Sequence, residues 1–169
     1  MINKTTTYKS DISIGVKSED LIIEWFNKNN LTFEDKRNDS EYRRMDIDFI
    51  WLINRMRYRV EVKTIKNMDF INIETVYDIN NRHLLNDWLN SCQATYIFFV
   101  CQKLNKFISL DYQKFKKWFM PLKDSHEELI NKTTVKGNKS HTSAFVKLPI
   151  NVINKELYKI IVSHFSSKN

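Results

Sequence analysis

Two carboxylates, Asp48 and Glu61, are the residues of this sequence whose spacing first points to chemistry. They lie in two runs rich in Ile, Phe, Trp, Val and Tyr that flank a polar Asn54-Arg55 pair, a pattern that predicts a β-hairpin. If this pair is a two-residue turn, residues 48 and 61 face each other, with Cβ atoms about 5 Å apart. Because facing like charges destabilise a sheet, the two acids require a compensating positive charge.

The compensating charge has two candidates. Lys63 lies two residues beyond Glu61 and therefore on the same face of its strand. A divalent metal ion bound by oxygen ligands is the other candidate. A third interpretation needs no function, because acidic and basic side chains on an exposed hairpin commonly form solvated ion pairs that contribute little to stability. The spacing alone leaves all three interpretations open.

The alternation of side chains along the two strands predicts one apolar face and one charged face. The apolar face, which we expect to join the core, comprises Ile47, Phe49, Trp51, Met56, Tyr58, Val60 and Val62. The other face comprises Asp46, Asp48, Ile50, Leu52, Arg57, Arg59, Glu61 and Lys63.

Composition limits the kind of protein that this chain can be. Its 169 residues suit one domain, and 42% hydrophobic with 13% aromatic residues indicates a globular protein. The net charge of +7 favours an anionic partner, most commonly nucleic acid. Two cysteines without metal or redox spacing fit a reduced cytoplasmic setting, and we recognise no signal peptide or membrane span. Abundant Asn, Lys and Ile suggest an AT-rich bacterial or phage genome.

Secondary-structure signals predict a mixed α/β sheet with helices on both faces. An amphipathic helix is predicted from Gly15 to Asn29, with Ser18 as its N-cap. The basic stretch 123–143 is interpreted as a mobile arm or a binding loop. The remaining elements are strands at 31–34, 70–76, 94–101, 106–110 and 144–150, and helices at 80–90, 111–121 and 154–165.

The hairpin and the first helix together resemble the PD-(D/E)XK nuclease superfamily. Asp48 stands in Met-Asp-Ile-Asp-Phe-Ile, and the next strand carries Glu61-Val62-Lys63-Thr64. Gly15-x-x-x-Glu19 at the start of the helix resembles the same feature in the Holliday junction resolvase-like and endonuclease-like branch. The resemblance covers roughly residues 12–110.

For the fold, the resemblance implies a single nuclease-like domain over residues 1–169 with a restriction-endonuclease-like core (α-β-β-β-α-β) at about 12–120. Residues 121–169 would pack on this core as a basic loop, a strand and a C-terminal helix. Two features depart from the family pattern. The leading Pro is absent, and the Gln common in the helix after Glu-x-Lys has no clear equivalent near Asn81 and Arg82.

For the chemistry, the resemblance implies a deoxyribonuclease that uses Mg²⁺, with Mn²⁺ as a substitute. Asp48 and Glu61 would bind the metal, and the backbone carbonyl of Val62 would be a third ligand. Glu19 would complete the ligand shell or hold a metal-bound water. Lys63 would orient the attacking water and offset charge on the phosphoryl oxygens.

Asp46 competes with Asp48 for the role of the first acid. In the hairpin register Asp46 faces Lys63, so we interpret it as a salt-bridge partner of that lysine and keep Asp48 as the ligand.

DNA is the partner that the resemblance and the charge imply. Basic residues in or beside the hairpin and in the late polar segment are the candidate contacts: Arg43, Arg44, Arg57, Arg59, Lys66, Lys132, Lys136 and Lys139. Three alternatives stay open. They are a homodimeric Holliday junction resolvase, a catalytically inactive nuclease-like DNA-binding or inhibitory protein, and a small basic interaction protein without an active site.

Overall fold

A computed structural model of the chain describes residues 8–76, 88–123, 130–135 and 141–162. The helices are α1 (Tyr8–Lys28), α2 (Ser40–Arg44), α3 (Trp88–Ser91) and α4 (Tyr112–Lys123). The strands are β1 (Thr32–Asp35), β2 (Phe49–Ile53), β3 (Met56–Thr64), β4 (Phe70–Val76), β5 (Tyr96–Cys101), β6 (Lys106–Asp111), β7 (Ile130–Val135), β8 (His141–Pro149) and β9 (Tyr158–Val162). No helix within these ranges is long and apolar enough to cross a membrane.

The predicted mixed α/β sheet is confirmed. Its six strands run in the order β1-β2-β3-β5-β6-β9. Strands β3 and β5 are parallel, and every other neighbouring pair is antiparallel. The strand predicted at 70–76 forms, but it belongs to a second, antiparallel sheet of order β4-β8-β7. The chain therefore leaves the central sheet after β3 and returns to it at β5.

The hairpin register predicted from the Asn54-Arg55 break is confirmed. Ile53 pairs with Met56, and the ladder runs without a shift to the pair Phe49 and Val60. Both turn residues have left-handed backbones, with φ of 50° and 66°. Positive φ at both central residues is the requirement of the type I′ turn, whose twist matches that of the flanking strands.

Two apolar clusters cover the two faces of the central sheet. On one face, Ile22 and Phe26 of α1 pack against Phe49, Val60 and other buried residues of the sheet. On the other face, Ile97 and Phe99 of β5 belong to a cluster that also contains parts of α3, α4 and the second sheet. Strand β5 is buried on both sides, as its nearly continuous apolar run predicts.

Three expectations about the helices are wrong or need adjusting. Helix α1 begins at Tyr8 rather than near Gly15, so Ser18 is a fully buried mid-helix residue and not an N-cap. The described part of the predicted C-terminal helix (residues 154–162) is not helical: Lys155–Leu157 is a 3-10 turn, and β9 follows as a strand paired with β6. The pairing satisfies the backbone groups along one edge of β6, which a helix could not do.

The predicted helix at 80–90 is described only at its end, where α3 begins at Trp88, and residues 80–87 lie outside the described part of the chain. The stretch 123–143, interpreted as an arm or loop, includes β7 and the beginning of β8. Asp111 caps α4 as expected, since its Oδ1 accepts from the backbone N–H of Lys114. Pro121, however, lies inside the last turn of that helix.

The left-handed backbone of Arg55 generates a stability prediction. Arg55→Gly should raise the free energy of unfolding by about 0.5–1 kcal/mol, because glycine adopts positive φ without steric cost. Urea unfolding measures the change. Arg57→Gly is the matched control, since Arg57 lies in the extended strand β3 and glycine there should destabilise the protein. Equal destabilisation by both substitutions would contradict the type I′ turn.

Candidate active site

The candidate site lies where β3 continues past Val60, the residue that pairs with Phe49 at the start of β2. The last pair between these strands is Phe49 with Val60, whereas β3 runs on to Thr64 and stays paired with β5. Along this stretch the described strands leave one edge of β3 open. The side chain of Asp48 occupies that edge, since its Oδ2 accepts from the backbone N–H of Val62 at 2.8 Å.

The backbone of Asp48 is fixed from both sides. Its N–H donates to the carbonyl of Val60 at 2.9 Å, and its own carbonyl accepts from the N–H of Lys36 at 2.8 Å. The chain therefore has little freedom at this residue, and the carboxylate is placed by backbone hydrogen bonds.

Asp48 and Glu61 interact beyond the last pair of the hairpin ladder, and the charge of Glu61 makes Asp48 harder to ionise. Glu61 is only 5% exposed. Burial and then repulsion from Glu61 raise the pKa of Asp48 to about 8. Burial also raises the pKa of Glu61, although an ion pair with Lys63 opposes the effect. Both acids are therefore harder to ionise than exposed carboxyl groups.

Lys63 lies on the same face of β3 and contacts Glu61 directly. Its ammonium forms an ion pair with Oε1 of Glu61 and lies 5.3 Å from the centroid of the Trp88 ring. Burial, the largest single influence, lowers the pKa of Lys63, but attraction to Glu61, Asp46 and Asp48 together outweighs it and leaves the pKa above its usual value. The lysine is therefore charged throughout the physiological pH range.

Glu19 approaches the acid pair from α1 but is bound elsewhere. Its Oε2 lies 3.5 Å from Nη1 of Arg37, which also binds Asp20 and Asp35. Burial raises the pKa of Glu19 in spite of this arginine. Glu19 adds to the repulsion that raises the pKa of Asp48, so it acts electrostatically on the site. Sequence reasoning missed Arg37, which stands in a charged turn with no distinguishing pattern.

Asp46 does not form the ion pair with Lys63 that the register predicted. Strand β2 begins at Phe49, so Asp46 lies in the connection that precedes the strand, with a left-handed φ of 54°. Its Oδ2 instead accepts a hydrogen bond of 3.4 Å from the hydroxyl of Ser91. The predicted pairing of Asp46 with Lys63 assumed that the hairpin ladder continues to residue 46, but the ladder stops at Phe49.

A polar cluster that sequence reasoning did not identify joins α1 to the end of β3. The hydroxyls of Ser18 and Thr64 share a hydrogen bond of 2.7 Å. The side-chain amide of Gln102 donates to Ser18 Oγ and to the carbonyl of Ile14, each at 2.8 Å. Because Ser18 precedes Glu19 and Thr64 follows Lys63, these bonds fix the two elements that carry candidate site residues.

The donor set fits Mg²⁺ or Mn²⁺ as a pair of carboxylates rather than as a larger cluster. No group of three or more His, Cys, Asp or Glu side chains in the described ranges is spaced to hold a metal ion. Mg²⁺ usually takes one or two carboxylates and keeps several waters. A divalent cation between the two carboxylates would offset the repulsion from Glu61 that helps raise the pKa of Asp48.

The backbone carbonyl of Val62 agrees with this donor set. In a strand, the N–H and the C=O of one residue point to the same neighbour. Since the N–H of Val62 points to Asp48, its carbonyl lies along the same open edge of β3.

The predicted DNA contacts differ in their availability. Arg43 and Arg44 are exposed in the last turn of α2, and Lys66 is exposed just after β3. Arg57 is bound to Glu34 through two hydrogen bonds, and Arg59 donates to the side chain of Gln93 at 3.4 Å. Lys136 and Lys139 lie outside the described residues, and the side chain of Lys132 in β7 is likewise not described.

A comparison of the chain with models of protein families found no match, and a comparison with curated protein sequences found none either. The case for a function therefore depends on the geometry of the site itself.

The raised pKa values generate a prediction about stability and pH. A carboxyl group whose pKa is raised on folding stabilises the protein below its unfolded pKa of about 4, and this stabilisation is lost as pH rises through the folded value. For Asp48 the window extends to about pH 8. Without metal, Asp48→Asn should therefore raise the Tm at pH 8 and change it less at pH 5.

Thermal unfolding in EDTA at the two pH values measures this difference. Asp69→Asn is the control, because Asp69 is an exposed acid outside the site and its replacement should alter the Tm little at either pH. A lower Tm for Asp48→Asn at pH 8 would show that the charge of Asp48 is already compensated in the metal-free protein.

Proposed function

We propose that this protein is a metal-dependent nuclease of the PD-(D/E)XK type that hydrolyses phosphodiester bonds in DNA. The observation that carries the proposal is the hydrogen bond from Val62 to Asp48, which places one acid beside Glu61 at the open edge of β3. Lys63 completes the group with a charged ammonium on the same strand.

Each of these side chains has a definite task in phosphodiester hydrolysis. Asp48 and Glu61 would hold the metal together with the carbonyl of Val62. A bound Mg²⁺ supplies positive charge for the phosphoryl oxygens and lowers the pKa of a water. The ammonium of Lys63 can donate a hydrogen bond to the attacking water and offset charge developing on the phosphate.

Glu19 has a supporting task in this proposal. Its ion pair with Arg37 holds the carboxylate at the border of the site, where it can orient a water rather than bind the metal directly. Exposed Arg43, Arg44 and Lys66 would contact the DNA backbone. A homodimeric resolvase that cuts branched DNA is a narrower form of the same proposal.

A second candidate function is a nuclease-like module that binds DNA without cutting it. The ion pair between Lys63 and Glu61 favours this candidate, because the ammonium occupies a carboxylate that the metal would need. The two candidates differ in whether Mg²⁺ can compete with the lysine for that carboxylate.

Site substitutions provide the direct test of nuclease activity. Asp48→Ala and Lys63→Ala should each abolish Mg²⁺-dependent cleavage while DNA binding remains measurable. Asp46→Ala should retain more activity than Asp48→Ala, because Asp46 binds Ser91 rather than the strand backbone. A gel assay with linear, nicked, single-stranded and four-way DNA, with and without Mg²⁺, measures cleavage and substrate preference together.

Two outcomes would contradict the proposal. Full cleavage by Asp48→Ala or Lys63→Ala would end the assignment of the site. Absence of cleavage by the wild-type protein, together with no Mg²⁺-induced rise in Tm, would favour the non-cleaving module, since a ligand that binds the folded state must stabilise it.

The basic surface generates a prediction about salt. DNA affinity should fall steeply as salt rises, because phosphate contacts release counterions from the duplex. The double substitution of Arg43 and Arg44 by Ala should reduce the slope of log affinity against log salt by about two. Arg57→Ala, whose charge is already bound to Glu34, should change the slope less. Fluorescence anisotropy of a labelled duplex measures all three, and a flat salt response would indicate a different partner.

A further inference from the structure

The charged lysine of the site rests against an aromatic ring that the nuclease pattern does not include. The ammonium of Lys63 lies 5.3 Å from the ring centroid of Trp88, within the range in which an indole face attracts a cation. Trp88 begins α3, the helix after the Glu-x-Lys strand. The sequence showed no clear Gln in that region, and the structure places an indole ring there instead.

The ring of Trp88 is rigidly held. It is 8% exposed and belongs to the cluster on the α4 side of the sheet. Its centroid lies 5.5 Å from that of Tyr112, whose hydroxyl donates to the carbonyl of Leu89 at 2.6 Å. A cation that rests on this ring therefore contacts a surface that has little freedom to move.

Trp88 turns its ring face, not its N–H group, towards Lys63. Its indole Nε1 is buried and has no hydrogen-bond partner among the described residues, whereas buried indole N–H groups usually find one. The Lys63 ammonium interacts with the face of the indole ring, and the indole gives the strongest cation–π attraction of the aromatic side chains.

We propose that Trp88 is a positioning residue for Lys63, holding its ammonium in place when Glu61 is engaged by a metal ion. The inference rests on the proposed nuclease function. In the metal-free protein Glu61 itself holds the lysine. Once Glu61 shares its charge with a cation, its attraction for the ammonium weakens, and the ring face remains as a neutral contact that the metal does not disturb.

Two measurements test this role, and the first does not require activity. Proton NMR of the metal-free wild type should show the ε-methylene protons of Lys63, assigned against Lys63→Arg, shifted upfield by the ring current of Trp88. The shift should disappear in Trp88→Leu and persist in Trp88→Phe. Ordinary lysine shifts in the wild type would overturn the inference, whether or not the variants fold.

The second measurement separates kcat from KM. Trp88→Leu should lower kcat about tenfold, because loss of a partly desolvated cation–π contact misplaces the ammonium. The KM for DNA should stay within about twofold, because Trp88 is buried and offers little surface to a substrate. Trp88→Phe should restore most of kcat.

Trp118→Leu is the matched control, since Trp118 packs against the same apolar cluster next to Phe115. It should cost stability without lowering kcat. Equal kcat values for Trp88→Leu and Trp118→Leu would overturn the positioning role alone. Absence of cleavage by the wild type would overturn the proposed function and this inference with it.

Discussion

The structure of the candidate site depends on one hydrogen bond, from the backbone N–H of Val62 to the carboxylate of Asp48. Strand β2 begins only at Phe49 and so does not pair with this part of β3, which would leave a backbone donor exposed at the edge of the sheet. A carboxylate satisfies the donor and is drawn next to Glu61 in doing so. The late start of β2 thus places a second acid where repulsion alone would keep it away.

This placement brings Asp48 close enough to Glu61 for the two carboxyl groups to repel each other when both are ionised. Burial and the neighbouring acid raise the pKa of Asp48 to about 8. Ionising Asp48 in the metal-free protein therefore destabilises the folded state. Lys63 relieves only part of this cost, because burial still leaves the pKa of Glu61 raised. The buried acid pair differs in this respect from the solvated ion pairs of an exposed hairpin, and carboxyl groups with raised pKa values of this kind support the proposed functional site.

The sequence predicts the parts of this protein that follow from local rules. The Asn54-Arg55 turn and the alternation of side chains determine the β2–β3 register, and the apolar run of β5 predicts a doubly buried strand. Prediction failed where distant pairing decides the outcome. Residues 158–162 carry apolar residues compatible with either helix or strand, and only the free edge of β6 selects the strand. In the same way, no local pattern connects Trp88 with Lys63 or Arg37 with Glu19.

The contacts that arrange the candidate site join residues far apart in the chain, and polar groups make several of them. Ser18 bonds to Thr64 and to Gln102 across separations of 46 and 84 residues, within an interface that is otherwise apolar. Apolar packing tolerates small slips of a helix on a sheet, whereas a buried hydroxyl that loses its partner is penalised. The cluster therefore fixes one position of α1 on β3, and in that position Glu19 further raises the pKa of Asp48.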